Sequence, residues 1–327
     1  MLTLPLMLFI VMMELAVGEF IVLFLLDWRS QVKRNFLVLY GILYVLLTGL
    51  TYLFQQNFAN ADLLNTFALV DKGWTGYLAP LLLLFLLLLL PYNLFLWMDK
   101  KAGVDGKSQE GEGKQGFSFA RILRMISGGL AALAGAGTLL AVAMSFRTLA
   151  PAGIAQILTV AGFFASALAL GGVMTAMWLG HWYLVTPALS EKPLLFSTTL
   201  VLIGVLAQVI FFLTAGPSLV PASANHATSA APTVVASPTA GIVGATPTVS
   251  PNVKPTNAPV VTPLSTDAIG WLHILVGFVM PLVLGGIAWK LVRDRSFQSA
   301  TGMLYLVVVC ALAGEVMARG LFLIGLQ

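Results

Sequence analysis

Eight apolar segments, near residues 3–26, 35–54, 76–98, 121–145, 152–186, 194–215, 268–290 and 299–326, constrain this chain more than any other feature. A helix needs about 20 mainly apolar residues to cross the hydrocarbon core of a bilayer, and each segment has that length. Only 9% of the residues are charged and 59% are hydrophobic, with a mean hydropathy of +0.95. Soluble proteins carry roughly 25% charged residues, so this composition cannot cover a water-facing surface. The expected fold is all-α: a polytopic integral membrane bundle of about eight transmembrane helices, its basic loops cytoplasmic and both termini extracytoplasmic.

The first segment has neither the basic leader nor the small-residue cleavage site of a signal peptide, so it is expected to stay as a helix. The fifth is longer than a bilayer core requires at ~1.5 Å per residue. It must tilt, protrude or break, and Gly171-Gly172 and Gly180 are where a bend is expected. Residues 1–215 are expected to form a six-helix part with a flexible, Gly-rich cytoplasmic connector at 99–117. Residues 216–266, rich in Pro, Thr, Ser and Ala, lack the means to bury a core and are expected to form a disordered extracytoplasmic tether. Residues 267–327 form a two-helix part.

Charge placement orients the set. Arg29, Lys33 and Arg34 lie between the first two segments, and Lys100, Lys101, Lys107 and Lys114 between the third and fourth, with Arg121 and Arg124 at the start of the fourth. Lys192 follows the fifth segment, and Lys290, Arg293 and Arg295 follow the seventh. These are thirteen of the 17 Lys and Arg residues, against Lys72, Arg147 and Lys254 on the other side. The positive-inside rule then puts the basic loops in the cytoplasm of an inner or plasma membrane. Nucleic acid is an unsuitable partner, because no basic groove interleaved with aromatics lies outside the membrane. The one cysteine, Cys310, excludes an internal disulfide, a CxxC pair and a cysteine-ligated cluster within this chain.

Ionisable groups within spanning helices are expensive and tend to have partners or functions. Glu14 and Glu19 lie in the first segment, five apart and so about 140° apart around a helix. His273 and Pro281 lie in the seventh, and Glu315 and Arg319 form an i,i+4 pair in the eighth. Counting depth along alternating helices places Glu14, His273, Glu315 and Arg319 in one half of the bundle, as a single polar cluster. Glu315 and Arg319 are equally readable as a structural ion pair, His273 as a carbonyl partner at the interface, and Glu19 as a protonated, packed carboxyl. "LGHWYLVTP" (179–187) holds His181 and Tyr183 beside Trp178 and Trp182, toward the cytoplasmic end. An interfacial aromatic belt accounts for it; a quinone contact, a proton relay or a haem ligand are the other readings.

Two stretches carry a family resemblance. "LPLMLFIVMMELAVGEFIVLFLL" (4–26) resembles the first helix of the membrane-anchor subunits of DMSO reductase, within the NrfD/polysulfide-reductase anchor superfamily. "VMPLVLG" (279–285) with "ALAGEVMARGLFL" (311–323) is similar to that family's last two helices; "GHWY" lies outside the resemblance. The resemblance implies an anchor that binds menaquinone or ubiquinone as substrate and has no metal or tightly bound redox cofactor of its own. It also implies an extrinsic iron–sulfur subunit that takes the electrons, and a separate catalytic subunit. Glu14 and His273 are then expected to accept protons or contact the headgroup, with Glu315 and Arg319 shaping the pocket. Glu19, His181 and Tyr183 are secondary candidates, and no residue is expected to be catalytic in its own right. The competing classes are a proton- or ion-coupled transporter, a structural or assembly subunit of a respiratory complex, and a haem-b cytochrome using His181.

Overall fold

The computed structural model describes residues 3–100, 102–104, 119–186, 190–215 and 266–326. Most of the 99–117 connector, and the 216–266 tether up to its last residue, lie outside the described residues, as does His226. Eight helices are long and apolar enough to cross a membrane, and the chain is a multi-pass membrane protein. They are α1 (Thr3–Trp28), α2 (Arg34–Phe58), α3 (Lys72–Met98), α4 (Phe119–Phe146), α5 (Ile154–Val185) and α6 (Lys192–Ala215). The seventh span, α7, is composite: Thr266–His273, a π-helical turn at Ile274–Val279, and Met280–Arg293. The eighth, α8, is Phe297–Leu323. A membrane offers the backbone no water to bond, so helices that satisfy their own N–H and C=O groups are the natural solution.

α1 is the core of the bundle. In its most apolar stretch 67% of the residues are buried, against 28% in α3 and α7. It packs against α2, α4, α5 and α8, while α3 with α4, α5 with α6 and α7 with α8 form antiparallel pairs. α3 shows how a uniformly apolar sequence acquires an inside. Thr75, Leu78, Leu82, Phe85, Leu89, Tyr92 and Leu96 are buried at spacings of three or four, while Leu84, Leu87, Leu90 and Leu94 face outward.

Lipid tails are as apolar as leucine, so helix association in a membrane relies on close packing through small residues. A Cβ on Gly18 would overlap the Ala167 carbonyl, and one on Gly171 would overlap the Gly18 backbone. α1 and α5 therefore touch backbone to backbone. A Cβ on Gly204 of α6 would lie 2.8 Å from the Ala169 nitrogen of α5. α5 runs as one continuous helix, and its glycines are contact points. Gly172 meets Val201 of α6, and Gly180 meets Thr301 of α8.

The irregularity lies in α7 instead. Pro281 has no N–H to offer the preceding turn, and the ladder widens into the π turn just before it.

Candidate functional site

The charged groups collect in two networks along α1, one near its middle and one at its Trp28 end. Near the middle of α1, the Arg319 guanidinium reaches Glu14 through both Nη2 and Nε, the latter at 3.3 Å. Its Nε also lies 2.8 Å from Glu315 Oε1, and its Nη2 donates to Ser166 Oγ at 3.0 Å. The guanidinium plane sits over the Phe163 ring, with Cζ 3.9 Å from the centroid, a favourable stack for a desolvated cation. Gln208 Nε2 donates to Ser166 Oγ at 2.8 Å and to Glu315 Oε2 at 3.3 Å. Five groups from α1, α5, α6 and α8 thus form one buried network. Glu14 is fully buried, and Glu315 and Arg319 nearly so.

Beside this network lies a cavity of about 160 Å³. α5 contributes Thr159, Gly162 and Ser166, and α6 contributes Gln208, Phe211 and Phe212. α7 contributes His273 and Phe278, and α8 contributes Glu315, Ala318, Arg319, Leu321 and Phe322. A volume of this order holds one six-membered ring. The π turn shapes one wall. His273 and Phe278 are five residues apart, which in an unbroken α-helix would separate them by about 140°. Their rings instead meet at 4.6 Å, and both pack edge-on to Phe212.

Gly277 leaves room both for the imidazole and for the approach of α8 to α7. A Cβ on Gly277 would lie 2.9 Å from His273 Cδ2 and 3.1 Å from the Gly314 Cα. A second, water-sized space of about 10 Å³ is lined by His273, Gln208, Glu315, Gly277 and Gly314.

The structure therefore brings Glu14, His273, Glu315 and Arg319 together, with a division among them. His273, Glu315 and Arg319 line the cavity, whereas Glu14 stands behind Arg319 and is not part of the wall. Glu19 is buried farther along α1. His181 is exposed on the outside of α5, near the opposite end. Its neighbours turn inward: Trp178 packs on Tyr40 and Trp182 edge-on to Phe36. Tyr183 is buried and donates its hydroxyl to the Ser190 carbonyl. Ser166, Gln208 and Phe163 are site residues that sequence reasoning passes over. Gln208 alone left a trace there, an amide in the apolar run "GVLAQVIFFL".

At the Trp28 end of α1, Arg124 of α4 lies 3.3 Å from Asp27 Oδ1 and 3.2 Å from Asp99 Oδ2. Tyr92 donates to Asp27 Oδ2 at 3.0 Å, and Arg34 donates to the Asp99 and Trp97 carbonyls. Arg124 is only 1% exposed. Near the start of α4, where the sequence places it, Arg124 is an internal tie between α1, α3 and α4.

Among the described residues no three His, Cys, Asp or Glu side chains are grouped as metal ligands. The fold and site define a polytopic helical membrane protein with a buried charged network beside an aromatic-walled cavity. Compared with known protein families, curated proteins and solved structures, the chain matches none.

Proposed function

We propose that this protein is a quinol-interacting membrane-anchor subunit of a respiratory oxidoreductase complex. The observation that carries the reading is the ring-sized cavity in which His273, Glu315 and Arg319 meet the aromatic wall of Phe212, Phe278 and Phe322. A quinol headgroup needs a flat apolar slot, a hydrogen-bond partner for each hydroxyl and a group that takes its proton. The phenylalanines supply the first, and His273 and Glu315 supply the others.

Charge balance supports a role for Glu315. Two carboxyls share one guanidinium in a low-dielectric site, where an uncompensated charge is costly. The network has a place for one exchangeable proton, and Glu315 is its carboxyl on the cavity wall. Glu14 fixes Arg319 from behind. On this reading the Thr3 end is extracytoplasmic, and an iron–sulfur subunit docked there receives the electrons while a catalytic subunit uses them. Menaquinone or ubiquinone is the bound substrate.

The test is quinone extraction and quinol-analogue titration of the purified protein. Glu315→Gln and His273→Ala should each weaken analogue binding about tenfold, the equivalent of losing one hydrogen bond worth about 1.4 kcal/mol. Unchanged binding in both variants would sink the reading. The π turn beside the cavity favours a second reading, a proton-coupled transporter hinged at α7. Solute-dependent proton uptake by proteoliposomes, without bound quinone, would select it.

A further inference from the structure

A third polar site lies along α1, between the two charged networks, and shares no residue with the cavity. Glu19 of α1 is 2% exposed, and no ion pair among the described residues reaches it. α2 turns a polar stripe toward the core, in which Tyr40, Tyr44, Thr48, Thr51 and Gln55 are buried at spacings of three or four. The two members nearest Phe58 are satisfied: Thr51 donates to the Leu47 carbonyl at 2.8 Å and Gln55 to the Ala59 carbonyl at 3.0 Å.

The central members are not. The hydroxyls of Tyr44 and Thr48, with that of Thr175 from α5, are buried without a hydrogen-bond partner. Tyr44 is near enough to Glu19 and Thr175 to interact with both, yet it makes a hydrogen bond of good geometry to neither.

Orphaned hydroxyls beside an unpaired carboxyl are the kind of buried polar group that internal water satisfies in proteins, each water making about three hydrogen bonds. Glu19 lies on a buried face of α1. The backbone contact of Gly171 on Gly18 falls at the adjacent residue and fixes the rotation of α1. A carboxylate held there without a cation would be an uncompensated buried charge; the neutral acid is not. The site stands between the two charged networks, five residues or about 7.5 Å along α1 from Glu14, and eight residues or about 12 Å from Asp27.

We propose that Glu19, Tyr44 and Thr175 form a hydrated proton-binding site within the membrane, with Glu19 a neutral carboxylic acid hydrogen-bonded through internal water to the two hydroxyls. The proposal does not rest on what occupies the cavity. Its rival is a sodium ion held by the Glu19 carboxylate and the same hydroxyl oxygens, which would also neutralise the site.

Infrared difference spectroscopy of the full chain in liposomes tests it. The protonated-acid carbonyl band should be present in the parent and lost in Glu19→Gln, and it should move when the buffer is changed to D₂O. Tyr44→Phe and Thr175→Val should shift its frequency while keeping it. Glu19→Gln, an isostere of the neutral acid, should melt at the parent temperature.

No band difference between parent and Glu19→Gln overturns the protonated state. A band insensitive to D₂O overturns the water. Conversion of the band to a carboxylate band when sodium replaces choline at constant ionic strength shows the cation site instead. Should Glu19→Gln fail to fold, the neutral-isostere expectation has failed, and an unshifted band in Tyr44→Phe would remove the hydroxyl coupling.

Discussion

Replacing Arg319 by Met leaves Glu14 and Glu315 buried without their cation. Removing one member of a buried ion pair costs about 3–5 kcal/mol, because the stranded charge cannot be hydrated. Thermal unfolding in detergent should show a loss of that order. Combining Glu14→Gln with Arg319→Gln should recover much of it. A single variant as stable as the parent would show that the network contributes nothing to folding.

The exposed pair behaves differently. Arg295 Nη2 lies 2.6 Å from Glu191 Oε2. The Glu191 carboxyl is held below the usual glutamate range, first by its own backbone hydrogen bond and then by Arg295. A depressed value means that the stabilisation is present above the ordinary glutamate value of about 4.3 and is lost as pH falls through the folded one. Solvent screens this pair, so Glu191→Gln should melt close to the parent at pH 7. The small remaining difference should vanish in strong acid, and a difference growing there would reverse the sign.

At the scale of the helices, glycines fix which surfaces meet. Gly171→Val drives a side chain into the Gly18 backbone of α1. With no slack between the two helices, the variant should lose the monodisperse folded species on size exclusion. Gly49→Ala places its methyl in open space, and should be neutral or raise the melting temperature through the better helix propensity of alanine, about 1 kcal/mol. If both variants behaved alike, the close α1–α5 crossing would be wrong. The helices themselves are legible in the sequence because apolar length alone specifies them. Their inward faces are not: in "LLLLFLLLLL" (81–90) nothing distinguishes buried Leu82 from outward Leu84, since lipid and protein interior are equally apolar. The π turn was legible only as Pro281, and its consequence, His273 against Phe278, required the backbone.

For the molecule as a whole, α1 joins two networks. The Arg319 network ties it to α5, α6 and α8, and the Arg124 network to α3 and α4. The segment 267–327 therefore shares its core with the first six helices, since α8 packs on both α1 and α5. Co-expressed fragments 1–215 and 266–327 should co-purify, and Arg319→Ala in the smaller one should weaken that association. Failure of the parent fragments to associate would mean that the covalent connection, not packing, holds α7 and α8 in place.

The sequence by itself determined an eight-span helical membrane protein and the half of the bundle in which Glu14, His273, Glu315 and Arg319 lie, because length, hydropathy and depth are properties of single segments. Only the tertiary structure decided that Glu14 backs Arg319 while His273 and Glu315 face the cavity. It also decided that Arg124 is internal, and that Tyr44 of α2 lies beside Glu19. Those outcomes depend on the rotation of each helix about its axis. That rotation is set by backbone contacts such as Gly18 on Gly171 and by polar groups finding partners on other helices.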